Sequence, residues 1–158
     1  MSPINSPPTL QSGLYSLQSA VTGGWVAIDQ SQNLAINAPQ PVVVVNPGIN
    51  SPSWNVTQIS SGAYELSLNG ATIAPLDNQV FAFTDGIPAH NEAWEFNAYY
   101  NGYEWHYTIK ASDNGQTWVA GQNFGDPITL VPVLPVPRSS DVLPEIPPYE
   151  LFRLNSLD

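Results

Sequence analysis

The sequence has no cysteine, only three basic side chains and a single methionine among its 158 residues. Without cysteine, the chain can form no disulfide, no thiolate metal site and no thiol nucleophile. The three basic side chains and 13 carboxylates give a net charge of −10, which repels phosphate backbones and anionic lipid headgroups. We therefore expect partners that are neither nucleic acids nor membranes.

Long apolar runs are also missing from the chain. No stretch approaches the roughly 18 apolar residues that a membrane-spanning helix needs. Residues 1–13 have neither the basic start nor the apolar stretch of a signal peptide. We expect a cytoplasmic protein, with release by an unrecognised route left open.

Turn-forming residues are abundant, with 16 prolines and 11 glycines. Between them, apolar residues recur at every second position in short runs, which is the pattern of half-buried strands. We predict an all-β protein of twelve strands. The predicted strands cover residues 14–18, 25–28, 42–45, 54–58, 64–68, 71–74, 80–83, 94–96, 105–110, 117–120, 128–131 and 151–154.

The twelve predicted strands fall into three quartets with recurring landmarks. The first strand of each quartet carries a tyrosine two residues before an aliphatic residue, and the last strand begins at or next to a large aromatic ring. These landmarks are Tyr15, Tyr64 and Tyr107, and Trp54, Trp94 and Phe152. Such a repeat predicts a β-trefoil with three pseudo-threefold repeats around one core. We expect residues 1–12 to be a flexible N-terminal segment and residues 13–158 to be a single domain.

Residues for catalysis or metal binding are scarce. The two histidines, His90 and His106, lack metal-ligand spacing, and no serine lies in a nucleophile elbow. No glycine-rich phosphate loop is present either. We predict no enzymatic activity, no catalytic residues, no metal and no cofactor. On its strand, His106 should point to solvent, opposite to Trp105 and Tyr107.

Aromatic residues are dense between positions 99 and 107. Alternation places Tyr103, Trp105 and Tyr107 on the core face of one strand. Tyr99 and Tyr100 then remain at a hairpin tip, where they could stack against a sugar ring. A carbohydrate-binding lectin, with glycans as partners, is therefore an alternative function.

Several short motifs resemble those of the fungal cospin-like β-trefoil serine protease inhibitors. They are the Pro41–Val45 strand, the Tyr107–Lys110 stretch and the Pro147–Phe152 ending, within a similarity that runs from about Gly13 to Leu154. The resemblance implies a reversible protein inhibitor in fungal defence, with a target protease as partner. It also implies that rigid surface loops, stiffened by proline, make the contact.

In trypsin-directed members of that family, the loop between the second and third strands contacts the protease. Carried over to this sequence, the resemblance points to Gln30, Asn33, Leu34 and Asn37. This loop contains no lysine or arginine, so Leu34 suits an apolar specificity pocket better than the acidic pocket of trypsin.

Two other loops are alternatives for inhibition. Asn69 matches an asparagine that related fungal cysteine protease inhibitors use against asparagine-specific proteases, although Asn-Gly is also simply a favoured hairpin turn. Arg138, followed by Ser139, lies in a proline-rich stretch and could serve trypsin. A storage or defence protein without inhibitory activity remains a further alternative.

Overall fold

The computed structural model describes residues 10–29, 39–48, 51–60, 62–68, 70–83, 93–100, 103–113, 115–132 and 147–157. Twelve strands and one short 3-10 helix, Pro148–Glu150, form this part of the chain. The strands are β1 Gly13–Ser19, β2 Trp25–Ile28, β3 Gln40–Val45, β4 Trp54–Ser60, β5 Ala63–Leu68, β6 Ala71–Leu76, β7 Gln79–Phe83, β8 Trp94–Tyr100, β9 Trp105–Ala111, β10 Thr117–Val119, β11 Thr129–Val131 and β12 Phe152–Ser156. The described residues contain no helix with the length and apolarity to cross a membrane.

Period-two alternation explains why these segments are strands. In β5, Tyr64, Leu66 and Leu68 are buried, whereas the residues between them are half-buried or exposed. Successive side chains of a strand point to opposite faces, so this sequence places one apolar face on the core. The all-β class and the twelve predicted strands are confirmed.

The strands form one antiparallel sheet that closes on itself. Ten strands pair in a continuous ring in the order β1, β4, β5, β8, β9, β10, β11, β7, β3 and β2, and β2 returns to β1. The two remaining strands pair across this ring: β12 with β1 and β9, and β6 with β5 and β7. Closure leaves few open strand edges in the described sheet.

This pairing corrects the predicted architecture. The structure is a closed ten-stranded antiparallel barrel with two extra strands, so the prediction of a β-trefoil with three pseudo-threefold repeats was wrong. The quartets contribute unequally, because the ring takes all four strands of the first quartet and three from each of the others. Recurring aromatic landmarks indicate which side chains pack in or against the core, but they do not determine which strands pair.

Four aromatic rings form the centre of the core. The ring of Trp118 lies 6.2 Å from that of Trp54, 5.3 Å from that of Trp94 and 6.0 Å from that of Phe152. All four side chains are fully buried. The contacts of Trp118 with Trp94 and Phe152 are edge-to-face, and such contacts add to the stability that comes from area burial alone.

Two of the landmark tyrosines hold the chain before β1 against one end of the barrel. The hydroxyl of Tyr64 donates to the carbonyl of Leu10 at 2.7 Å, and that of Tyr15 donates to the carbonyl of Gln11 at 2.7 Å. Leu10 itself is buried in the core. Residues 10–12 thus pack on the barrel, whereas residues 1–9 of the predicted flexible segment lie outside the described residues.

Candidate functional site

Three of the connections between strands begin or end at the same end of the barrel. Ala82, near the end of β7, pairs with Gln40 at the start of β3 on one side and with Ile73 of β6 on the other. Phe83 pairs with Thr72, one residue after β6 begins. We call this end of the barrel the loop edge, because residues 30–38, 69–70 and 84–92 connect to the strands here.

The base of the β2–β3 connection is tightly held. The amide of Asp29 donates to the carbonyl of Pro41 at 2.9 Å, and Ile28 pairs with Val42. Both Ile28 and Val42 are buried. A connection fixed at both ends has less freedom to lose when a partner binds. The predicted contact residues Gln30, Asn33, Leu34 and Asn37 lie outside the described residues.

The β5–β6 turn belongs to the same edge. Leu68 pairs with Ala71, so the hairpin has the predicted two-residue connection, and Gly70 adopts a left-handed φ of 79°. Asn69 lies outside the described residues. Two strand spacings separate Gln40 from Ile73, which corresponds to about 10 Å across the sheet. The bases of two of the three predicted inhibitory loops are therefore close together.

The third candidate loop begins elsewhere. Thr129 of β11 pairs with Gln79, the first residue of β7, and the amide of Leu130 donates to the carbonyl of Asn78 at 2.8 Å. The segment after β11 therefore leaves at the end of β7 opposite to the loop edge. Arg138 and Ser139 lie within this segment and outside the described residues.

Positive charge on the described surface is paired with carboxylates. Lys110 Nζ lies 3.8 Å from Glu95 Oε1, and Arg153 Nη2 lies 3.2 Å from Glu104 Oε2. Among the described residues, no group of three or more histidines and carboxylates is placed to hold a metal ion. The described surface therefore has an excess of negative charge, and recognition of a partner there depends on hydrogen bonds and shape complementarity.

A second group of aromatic residues surrounds the β8–β9 hairpin end. The pairing of β8 with β9 continues to its last two residue pairs, which are Tyr99 with His106 and Tyr100 with Trp105. The ring centroids of Tyr100 and Trp105 lie 5.2 Å apart. Tyr103 is 91% exposed. We call Tyr99, Tyr100, Tyr103 and Trp105 the aromatic rim.

Two sequence-based placements near this rim were wrong. Tyr103 was predicted to face the core with Trp105 and Tyr107, but only Tyr107 is buried. Strand β9 begins at Trp105, so Tyr103 precedes it and strict alternation does not apply there. His106 was predicted to face solvent, yet it is 4% exposed.

The environment of His106 was not visible in the sequence. Its Nε2 lies 3.7 Å from Glu104 Oε1, and Glu104 also holds Arg153 of β12. Its Nδ1 has no hydrogen-bond partner within the described residues. Burial lowers the pKa of His106, and Arg153 acts in the same direction, whereas Glu104 opposes them. Glu104 and Arg153 are 49 positions apart in the chain, and a contact at that separation leaves no local signal in the sequence.

The family of the chain follows from its sequence over most of its length. Residues 8–156 match the family described as Peptidase inhibitor I66. The chain belongs to this family. It is a protein inhibitor of peptidases and not an enzyme, and its partner is a target peptidase. The predicted resemblance to fungal cospin-like inhibitors is confirmed.

Solved structures share the fold of this inhibitor. A proteinase inhibitor from Coprinopsis cinerea superposes with a TM-score of 0.77 at 23% identity, covering 94% of this chain and all of the other. A Polyporus squamosus lectin bound to an influenza-binding epitope has a TM-score of 0.66 at 12% identity, covering 95% of this chain and 51% of the lectin. The Rhizoctonia solani agglutinin has a TM-score of 0.62 at 14% identity, covering 96% and 99%. Comparison with curated protein sequences gave no match.

Proposed function

We propose that this inhibitor acts on a serine protease through the loop edge, with residues 30–38 as the main contact. The observation that carries the proposal is the clamp at the base of this connection, where Asp29 bonds to Pro41 and Ile28 pairs with Val42. Gln30, Asn33, Leu34 and Asn37 are the proposed contact residues.

Preorganisation explains how such a loop would inhibit. Binding a protease costs free energy for ordering the loop, and each immobilised side chain adds to that cost. A base held by strand pairing and by the prolines at 39 and 41 reduces this cost before the encounter. A loop that occupies the cleft as a substrate does, on a scaffold that holds its ends together, then blocks the enzyme reversibly.

The specificity follows from the side chains available in the connection. Residues 29–41 contain no lysine or arginine, whereas the trypsin pocket selects a cation. Leu34 is a suitable anchor for an apolar pocket. We therefore propose chymotrypsin-, elastase- or subtilisin-like enzymes as targets in preference to trypsin.

The test is an inhibition panel with Leu34 variants. Leu34→Gly should weaken inhibition of an apolar-pocket protease at least tenfold, since a central anchor contributes roughly 2 kcal/mol or more. Leu34→Arg should gain inhibition of trypsin while it loses the original target. Arg138→Ala is the matched control, because its loop leaves from the other end of β7. Unchanged inhibition in both Leu34 variants would exclude this connection as the main contact.

Asn69 provides a second proposed contact, because its turn shares the loop edge with residues 30–38. We propose that it serves inhibition of asparagine-specific cysteine proteases, as the resemblance to the related fungal inhibitors implies. Asn69→Asp keeps the size of the side chain and its tolerance of the turn. This variant should abolish inhibition of an asparaginyl endopeptidase and leave inhibition of the serine protease intact. Equal inhibition by Asn69→Asp and the original chain would refute the second contact.

A further inference from the structure

We propose that the aromatic rim binds the apolar face of a neutral pyranose, a hexose or an N-acetylhexosamine unit of a glycan. This site goes beyond protease inhibition and lies on a different part of the barrel. It uses Tyr100 and Trp105, which pair across the β8–β9 hairpin, Tyr103, which lies two residues before Trp105, and the ion pair of Glu104 with Arg153.

The rim presents rings on a rigid support. Tyr100 and Trp105 face each other across the hairpin with ring centroids 5.2 Å apart and planes inclined at 48°. Further along the same hairpin, the ring centroids of Phe96 and Tyr107 lie 6.3 Å apart. Tyr103 follows in the chain and is 91% exposed. A fixed aromatic surface can stack against a sugar without first being ordered.

Two polar side chains belong to the same region: Glu104 lies between Tyr103 and Trp105 in the chain, and it pairs with Arg153 of β12. Glu104 is 42% exposed at its side chain and is held 3.2 Å from Arg153 of β12, whose side chain is 41% exposed. Together they offer a carboxylate acceptor and guanidinium donors at fixed positions, which suits the paired hydroxyls of a pyranose. Sugar sites in proteins combine an apolar surface with a few placed polar groups in the same way.

Charge restricts the type of sugar. The net charge of the chain is −10, and Glu104 lies between Tyr103 and Trp105 in the chain. An anionic sugar such as sialic acid would be repelled by this field, whereas a neutral unit would not. We therefore assign the site to neutral glycans.

The size of the rim favours a sugar over a protein. A stable protein partner needs about 800 Å² of contact on each side. Tyr100 and Trp105 are half-buried and packed against each other, so together with Tyr103 they expose much less than this, but a single pyranose needs no more. The rim also lies at the end of β8 that is opposite to the connection at residues 84–92. Seven residues of strand separate the two ends, or about 20 Å, so a sugar and a protease can be bound together.

The experiment measures sugar binding by the indole NMR signals of the ¹⁵N-labelled full chain. The probes are lactose, chitotriose and 6′-sialyllactose. We expect the Trp105 indole signal to shift saturably with at least one of the two neutral probes and not with sialyllactose. Tyr103→Ala and Trp105→Ala should each weaken that binding about three- to tenfold, as expected for the loss of one stacking ring.

Controls separate this site from the fold and from inhibition. Tyr149→Ala removes a tyrosine that is 38% exposed outside the rim, and it should leave sugar binding unchanged. Tyr103→Ala should keep the original thermal unfolding temperature and protease inhibition, because its side chain lies almost entirely in solvent. The proposal is overturned if neither neutral probe binds, if only sialyllactose binds, or if Tyr103→Ala and Trp105→Ala bind as well as the original chain. The Leu34 variants test only the protease contact, so they should bind the neutral sugar as well as the original chain does.

Discussion

At the scale of single residues, the polar side chains inside the barrel affect stability most, because each has few possible hydrogen-bond partners there. Tyr64 reaches the carbonyl of Leu10, and Trp54 Nε1 donates to the carbonyl of Val26 at 2.8 Å. Trp94 Nε1 makes the corresponding bond to the carbonyl of Ile73 at 3.2 Å. A buried acceptor that loses its donor costs more than an exposed one, since water cannot replace the partner.

The first prediction concerns the two tyrosines that hold residues 10–12. Tyr64→Phe should lower the free energy of unfolding by about 1 to 3 kcal/mol, because it leaves the buried carbonyl of Leu10 without its donor. Tyr15→Phe should cost less than about 1 kcal/mol, since its bond to Gln11 is exposed and water can replace it. Urea denaturation of both variants checks this order. Equal losses would show that the burial of the acceptor does not matter here.

The second prediction concerns pH and His106. Burial holds the pKa of His106 below its ordinary value of 6.5, so the unfolded chain takes up this proton before the folded chain does as pH falls. The contribution of His106 to stability is therefore complete above about pH 6.5 and decreases as pH falls through the lower pKa of the folded state. Glu104 and Arg153, the charged groups at its side, act on this pKa in opposite directions.

Urea denaturation between pH 5 and pH 8 tests this prediction. His106→Asn removes the titrating group, so the difference in stability between variant and original chain should narrow as pH falls below about 6.5. Glu150 also titrates in the acid range, with its pKa raised by burial, but it is present in both proteins and cancels in the difference. A difference that stays constant with pH would show that His106 does not titrate differently on folding.

At the scale of elements, the strands were predictable and their partners were not. Residues 25–28 were predicted as a strand and form β2 with the same bounds, because Val26 and Ile28 alternate with less buried neighbours. Pairings such as β3 with β7 join residues about 40 positions apart, and no local pattern encodes them. The same limit applies to the site. The sequence indicated Asn69 and the connection at residues 30–38 as separate candidates, and only the pairing of β7 with β3 and β6 shows that both lie at one end of the barrel.

The third prediction concerns the close approach between β2 and β3. A Cβ on Gly24 would lie 2.7 Å from Val44 Cγ1 and even nearer to the Val45 carbonyl oxygen, which is backbone and cannot rotate away. Gly24→Ala should therefore destabilise the fold by about 2 kcal/mol or more, as overpacking in a tight site does.

Gly62→Ala is the matched control for this prediction. Gly62 adopts a φ of 79° with no atom within 4 Å of the added Cβ, so the substitution meets only backbone strain of about 1 to 2 kcal/mol. Thermal unfolding of both variants measures the difference. A Gly24→Ala protein as stable as the original would show that β2 and β3 can separate at this point without cost.

At the scale of the whole molecule, charge is the dominant property. The net charge is −10, and the two described cations, Lys110 and Arg153, each lie against a glutamate. The field around the inhibitor is therefore negative, and such a field accelerates encounters with positively charged partners.

The fourth prediction follows from this field. For a target protease with net positive charge, the association rate constant should increase roughly tenfold or more when ionic strength falls from about 0.15 M to about 0.01 M. For a target with net negative charge, the rate should decrease over the same range. The dissociation rate should change much less, because it depends on short-range contacts. Stopped-flow measurements with one enzyme of each type provide the check. A rate independent of salt for both enzymes would contradict electrostatic steering.

The position of Trp118 between Trp54 and Trp94 makes the centre of the barrel observable in solution. Trp118 lies edge-on to Trp94 at 5.3 Å and tilted to Trp54 at 6.2 Å, and indoles fixed in such asymmetric packing give the folded protein a near-ultraviolet circular dichroism that is lost when the packing is lost. The three rings come from strands of all three quartets, so this packing forms only when strands from all three have come together. An optical signal without any label can therefore separate complete folding from partial collapse, and it can be followed during each of the titrations described above.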